Sequence, residues 1–175
     1  MAKVMNTLMQ QTVLSVAEKL PSGQKLRVLE IGAGTGGTTS YLLPSLNPDR
    51  TEYVFTDLSP FFLDQAKEKF AEFSFIKYQL LDIEKEPQSQ GFEEHQYDLI
   101  VAANVLHATQ DLQVTVQHIQ KLLAPQGMLL LLEGTRKERW LDLIFGLLEG
   151  WWRFTDLQWR PNYPLLTTNS WQKLL

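Results

Sequence analysis

The stretch that decides the fold is LRVLEIGAGTGG, residues 26–37. Its first half, with Leu26, Val28, Leu29 and Ile31 around Arg27 and Glu30, is a short apolar run of the length of a buried strand. Its second half sets Gly32, Gly34, Gly36 and Gly37 in close succession. Glycine is required where a chain turns tightly after a strand and its backbone must approach a ligand closely. A helix is expected to open behind the loop, over residues 38–46. Strand, glycine loop and helix together read as a cradle for a nucleotide cofactor. Gly32, Gly34 and Gly37 also satisfy the G-x-G-x-x-G spacing of dinucleotide sites, so on these residues alone a nicotinamide or flavin site stays open. A glycine-rich turn that binds nothing stays open as well.

Working outward, strand-like and helix-like segments alternate along the chain. Upstream, Val4, Met5, Leu8, Met9, Val13, Val16 and Leu20 recur at helical spacing, and Pro21-Ser22-Gly23 ends that helix. Downstream, strands are expected over residues 53–56, 73–81, 97–102 and 128–132, and helices over 60–70 and 111–123. Ser59 is the expected N-cap of the first of these helices. Residues 84–96, polar and containing Pro87 and Gly91, read as a loop. The continuous apolar run at 128–132 suits a strand buried on both faces. This alternation predicts an α/β fold: a doubly wound, mostly parallel sheet with helices on both faces. After Gly134 the character changes, and WLDLIFGLLEGWWRF, residues 140–154, reads as a very apolar helical segment holding three of the five tryptophans.

Composition narrows the classes. At 175 residues, 44% hydrophobic and 21% charged, the chain is expected to form one globular domain. Without cysteine it has no disulfide, thiolate nucleophile or thiolate metal site. A net charge of -4 lacks the basic footprint of nucleic-acid binding. No apolar run approaches bilayer length, and the first twenty residues do not form a signal peptide's continuous apolar stretch, so no membrane is expected and the cytoplasm is the expected compartment.

Two carboxylates extend the cofactor reading. Asp57 ends the second strand, where a carboxylate accepts from both hydroxyls of a ribose, a feature shared by NAD and S-adenosylmethionine sites. Asp82 ends the third strand and is either an acceptor for an adenine amino group or a surface turn residue.

Resemblance discriminates further. LEIGAGTGG, residues 29–37, resembles the first motif of class I methyltransferases, with an acidic residue two places before the first glycine. The stretches EIGAGTGGTTSYLLP, FTDLSPFFLDQAKEKF, AANVLHAT, LLAPQGMLLLLEGT and GLLEGWWRFTD, with the tail Pro164-Leu165-Leu166 and Trp171, extend the resemblance over nearly the whole chain. In that order they are most similar to methyltransferase domains embedded in bacterial polyketide synthases, of the carbon-methylating type. The resemblance implies a Rossmann-like class I core that lacks the last two strands of the full fold, set among neighbouring synthase domains in a larger polypeptide. It implies S-adenosylmethionine as cofactor and methyl transfer to an acyl chain carried on an acyl carrier protein. The expected cofactor-binding set is Glu30, Gly32, Gly34, Gly36, Asp57, Leu58, Asp82, Ile83 and Asn104, with no metal.

Methylation at carbon needs a base that works near neutral pH, which favours histidine. His95, in a Glu-rich loop, and His118, on a helix among glutamines, read as solvated. His107 follows the fourth strand at the rim where ligands bind in open parallel sheets, and Glu133 ends the fifth. If those strands are neighbours, both side chains emerge beside the glycine loop, where a carboxylate orients an imidazole. By resemblance they match a catalytic dyad; a helix-capping role for His107 is the alternative on residues alone. Residues 140–154 either cover the sheet or bring Trp151, Trp152 and Phe154 to an acyl pocket. The leading reading is methylation of the α-carbon of a β-ketoacyl thioester in polyketide biosynthesis. Alternatives are an oxygen methyltransferase acting on a hydroxyl or enol oxygen, a non-catalytic cofactor-binding remnant, and a nicotinamide dehydrogenase.

Overall fold

A computed structural model describes residues 2–175. Helix α1 (Ala2–Lys19) leads into β1 (Leu26–Ile31), the short helix α2 (Thr39–Leu42), β2 (Thr51–Asp57), α3 (Pro60–Lys69), β3 (Ile76–Leu80), β4 (Tyr97–Ala103), α4 (Leu112–Leu122), β5 (Leu123–Leu132), α5 (Arg139–Phe145) and α6 (Thr168–Leu174). The five strands form one sheet in the order β3-β2-β1-β4-β5, every pair parallel.

Side-chain alternation builds two cores from one sheet. Val28, Tyr53, Phe55, Leu99 and Val101 point to one face, where Met9 and Val13 of α1 and Leu63 and Ala66 of α3 meet them. Leu29, Ile31, Ile100 and Ala102 point to the other, against Leu112, Ile119 and Leu122 of α4 and Trp171 of α6. Each fully buried apolar side chain of this kind contributes about 1.5–3 kcal/mol over an exposed one. The central strands β1 and β4 are therefore apolar on both faces, as a covered parallel sheet demands. Arg27 stitches the two together, its guanidinium and its backbone N–H all reaching the Asp98 carboxylate.

Several expectations are corrected. The apolar run at 128–132 belongs to an edge strand, paired only to β4, and its residues are half-buried rather than covered on both faces. Its strand begins earlier, at Leu123, directly at the end of α4, with a register irregularity between Tyr97 and Leu99. The third strand is shorter than predicted, because Phe73-Ser74-Phe75 approaches the sheet as a turn. The helix after the glycine loop has a single α-helical turn before Pro44 draws it into a 3₁₀ turn, Leu43–Ser45. Ser59 makes no side-chain cap; its N–H instead donates to Asp57 Oδ1. Helix α5 stops at Phe145, Gly146 follows, and a separate 3₁₀ turn covers Glu149–Trp152, so residues 140–154 are not one helix. His118 is buried, not solvated: it lies beside Thr115 and Leu122 on the core side of α4, with Nδ1 2.7 Å from the Ile83 carbonyl. His95 is exposed, with Nδ1 2.9 Å from the carbonyl of Leu123. No helix among the described residues is long and apolar enough to cross a membrane.

The topology places the site. Chain order runs outward from β1 to β3 on one side and resumes at β4 on the other, so the connections leaving β1 and β4 diverge. A crevice forms outside the carboxyl ends of strands at such a switch point.

Candidate active site

A cleft of about 450 Å³ opens at that switch point, within the range of small-molecule sites. One wall consists of Ile31 and Gly32 from the end of β1, with Asp57 and Leu58 from the end of β2. Leu81, Asp82, Ile83 and Glu84, following β3, form its floor on one side. Asn104, Val105 and His107, following β4, line it beside Gly32, and Phe145, Leu148, Trp151 and Arg153 line it from the segment after β5.

The glycine loop is shaped by its dihedrals. Gly32, Gly34 and Gly36 all have positive φ, 59°, 55° and 69°, where a side chain is strained. At Gly32 a Cβ would also sit 2.2 Å from Val105 Cγ2, so the close approach of β1 and β4 at the cleft needs glycine there. Asp57 organises the loop, one carboxylate oxygen accepting from Gly34 N–H at 2.9 Å and the other from Ser59 N–H at 2.9 Å. Asn104 also has positive φ, 53°, a conformation that asparagine tolerates better than most residues, and its N–H donates to the Leu132 carbonyl at 2.7 Å. Strained backbone at the rim of a cleft is the usual place for function.

The structure does not bring every predicted residue to the cleft: of the predicted loop glycines Gly32 lines it, and Gly34 and Gly36 do not. Glu30 is wholly buried beneath the loop, where one carboxylate oxygen accepts from Thr39 Oγ1 at 2.6 Å and Tyr53 Oη at 2.7 Å. Its side chain ties β1 to β2 and α2 and does not line the cleft. Asp82 does line the cleft, while also accepting from Glu84 N–H and pairing with Lys85 at 3.0 Å. Of the aromatic trio, Trp151 faces the cleft, Trp152 is half exposed, and Phe154 lies instead over the Arg160 guanidinium.

Burial pushes the Glu30 carboxyl up to about 7 from an ordinary 4.5, against the pull of its two hydroxyl donors. A raised acid is protonated in the fold while the unfolded chain has already ionised. Its contribution to stability is therefore complete below pH 4.5 and declines until pH 7, by about 3 kcal/mol in all. Glu30→Gln removes this titration. Denaturant unfolding at pH 4.5, 6 and 8 is expected to show a flatter profile for the variant by that amount; parallel profiles would show that Glu30 does not titrate in this range.

His107 and Glu133 meet. Nδ1 of His107 lies 2.7 Å from Glu133 Oε2, both side chains are largely buried, and Glu133 Oε1 accepts from the backbone N–H groups of Val105 at 3.0 Å and Leu106 at 2.8 Å. A proton on His107 Nδ1 would face the Glu133 carboxylate, and Nε2 would then be the free acceptor. Trp151 stands edge-on to the imidazole, ring centroids 5.4 Å apart, and stacks on Phe145 at 5.5 Å. At the mouth, Arg153 pairs with Glu84, bridging the loop after β3 to the segment after β5. The Arg153–Glu84 pair and the packing of Trp151 on the imidazole were not foreseen from the sequence, because the partners lie far apart in the chain and carry no spacing signal. Arg160, buried behind His107, was missed for the same reason.

Comparison with known proteins identifies the family. The family described as "Methyltransferase domain" matches residues 29–129. The chain is 50% identical over 149 residues to the non-reducing polyketide synthase ausA of Penicillium brasilianum, a match covering 83% of the chain and 6% of that synthase. It superposes on the crystal structure of CurJ carbon methyltransferase with a TM-score of 0.97 and 58% identity, covering 99% of this chain and 46% of that one. It superposes on the trans-methyltransferase CalH, solved as a complex with SAH, with a TM-score of 0.81 and 40% identity, covering 98% and 46%. The chain thus spans less than half the length of each of these relatives. The Penicillium relative extends the similarity to fungal synthases, beyond the bacterial ones to which the sequence pointed. The chain belongs to the methyltransferase domain family and, within it, is similar to the carbon methyltransferase domains of polyketide synthases.

Proposed function

We propose that this chain is a core of a larger synthase and methylates the α-carbon of a β-ketoacyl thioester held on an acyl carrier protein, using S-adenosylmethionine. The observation that carries the reading is His107, bonded to Glu133, in the lining of a cleft that Gly32 and Asp57 also line.

The residues lining the cleft would suit the cofactor: Gly32 lets the loop pass close to Val105, Asp57 would accept from a ribose, and Leu81 and Ile83 would offer apolar surface to an adenine, with Asp82 beside them as acceptor. When bound, S-adenosylmethionine would supply an electrophilic methyl group on a sulfonium, its CH3–S bond breaking as the carbon nucleophile attacks and S-adenosylhomocysteine leaving. The chain's own part is to make that nucleophile. The α-protons of a β-ketoacyl thioester lie between two carbonyls and are acidic enough for an imidazole to remove. His107 Nε2 takes the proton, and Glu133, bonded to Nδ1–H, stabilises the imidazolium that results. Trp151 and Phe145, stacked on each other in the lining of the cleft, would offer an apolar wall to the acyl chain.

The test offers β-ketoacyl and β-hydroxyacyl pantetheine thioesters with the cofactor and locates the new methyl group by mass spectrometry. Methylation at the α-carbon of the β-keto substrate alone is expected. Methyl on oxygen, or turnover of the β-hydroxy substrate only, would replace this reading with an oxygen methyltransferase.

A further inference from the structure

Behind the cleft lies a buried ion pair that none of the functional assignments uses. Arg160 is 1% exposed, and its Nε donates to Asp156 Oδ1 at 2.6 Å. Burying two charges is costly and seldom adds net stability, so such a pair points to a demand for geometry. The rest of the guanidinium shows what is held. Nη1 donates to the His107 carbonyl at 2.8 Å, and Nη2 to the carbonyls of Thr109 at 2.8 Å and Gln110 at 3.0 Å. The other Asp156 oxygen accepts from Leu112 N–H at 3.0 Å, at the start of α4. Phe154 covers the guanidinium at 5.2 Å. One ion pair from the segment after β5 therefore grips both ends of the turn that carries His107.

We infer that Arg160, braced by Asp156, is a positioning residue for His107. Rigid placement of that base matters because Glu133 restrains it at only one point of the ring, Nδ1. Irregular backbone between β4 and α4 has few ladder partners for its carbonyls, which must find donors elsewhere when buried. Arg160 gathers three of them on one planar fork, which a lysine ammonium cannot reproduce. Glu133 thus holds the ring and the N–H groups entering the turn, and Arg160 holds the carbonyls leaving it. The inference rests on the reading of His107 as the base, and it predicts an effect on placement that can be read independently of turnover.

Arg160→Lys keeps the charge opposite Asp156 and loses the fork. A displacement of the order of 1 Å in a catalytic group costs roughly a hundredfold. We expect kcat for the β-ketoacyl thioester to fall about 10- to 100-fold, with KM and the calorimetric Kd for S-adenosylhomocysteine within about threefold of wild type. The Nδ1–H resonance of His107, measured by ¹⁵N-edited NMR in the whole chain, is expected to shift or broaden although Glu133 is intact. Unchanged kcat, or an unchanged imidazole resonance, overturns the inference. If Arg160→Lys does not fold, the double variant Arg160→Met with Asp156→Leu leaves no buried charge, and the same two measurements on it support or overturn the inference in the same way. If wild-type protein fails to methylate the thioester, the functional reading falls, while the NMR comparison still decides whether Arg160 places the imidazole.

Discussion

Replacing His107 with alanine is expected to slow methyl transfer to the β-ketoacyl thioester by about 10²- to 10⁴-fold, the range that a positioned general base supplies. Cofactor affinity is expected to stay near wild type. The asymmetry follows from where the side chain stands. His107 lines the cleft from the turn after β4, while Gly32 and Asp57, proposed for the cofactor, stand at the ends of β1 and β2. Loss of the imidazole also leaves Glu133 Oε2 without its partner, but Oε1 keeps the backbone N–H groups of Val105 and Leu106, so the turn itself retains its anchor. Single-turnover assays with calorimetry separate the two quantities. Wild-type rates in the variant would remove His107 from the chemistry, and a parallel loss of cofactor affinity would make it a structural residue.

Gly32→Ala is expected to be the most damaging single methyl group that can be added to the loop. At φ 59° the backbone is unfavourable for alanine by about 1–2 kcal/mol. The new Cβ would stand 2.2 Å from Val105 Cγ2 and 3.0 Å from its Cβ, and overpacking of that kind costs about 1–3 kcal/mol more. Val105 has little freedom to retreat, because its N–H is bonded to Glu133. Relief must therefore move the loop away from the cleft or disturb the carboxylate that holds His107. The expected result is a drop in melting temperature of several degrees and a loss of affinity for S-adenosylhomocysteine. Gly34→Ala is the control for stability: it has a similar φ, 55°, but no atom within 4 Å of the new methyl, so in the ligand-free protein only the backbone strain applies. Equal melting temperatures of the two ligand-free variants would show that the Val105 contact does not govern the loop.

The two variants probe the parts of the site that were legible to different degrees. The glycine loop could be read locally, since tight turns and close approach restrict residue choice at single positions. Asp57 and Asp82 were legible as strand-end carboxylates, and both line the cleft. His107 and Glu133 were legible as residues at the ends of two strands, but their meeting depends on β4 and β5 being neighbours, which only the sheet order shows. Glu30 misled, because its place in the motif says nothing of the direction of its side chain; alternation along β1 sends it inward to Tyr53 and Thr39.

An apolar run such as Met128-Leu129-Leu130-Leu131-Leu132 looks the same in a central strand and at an edge, since hydrophobicity records burial and not the number of hydrogen-bonded neighbours. His118 looked solvated among glutamines for a related reason: one residue cannot reveal which side of α4 it occupies unless the whole stripe is placed.

What the chain's order of residues determined by itself is whatever depends on near neighbours: the alternation of strands and helices, the turn that only glycine can make, and the strand-end carboxylates. Periodicity and steric limits act over a few residues, and so they are written locally. Only the tertiary structure decided which distant groups share a contact: Glu133 with His107, Arg153 with Glu84, and Arg160 with the carbonyls of His107, Thr109 and Gln110. Those pairings span 26 to 69 positions of chain, and they are created by the switch in strand order and the return of the segment after β5, which no local rule encodes.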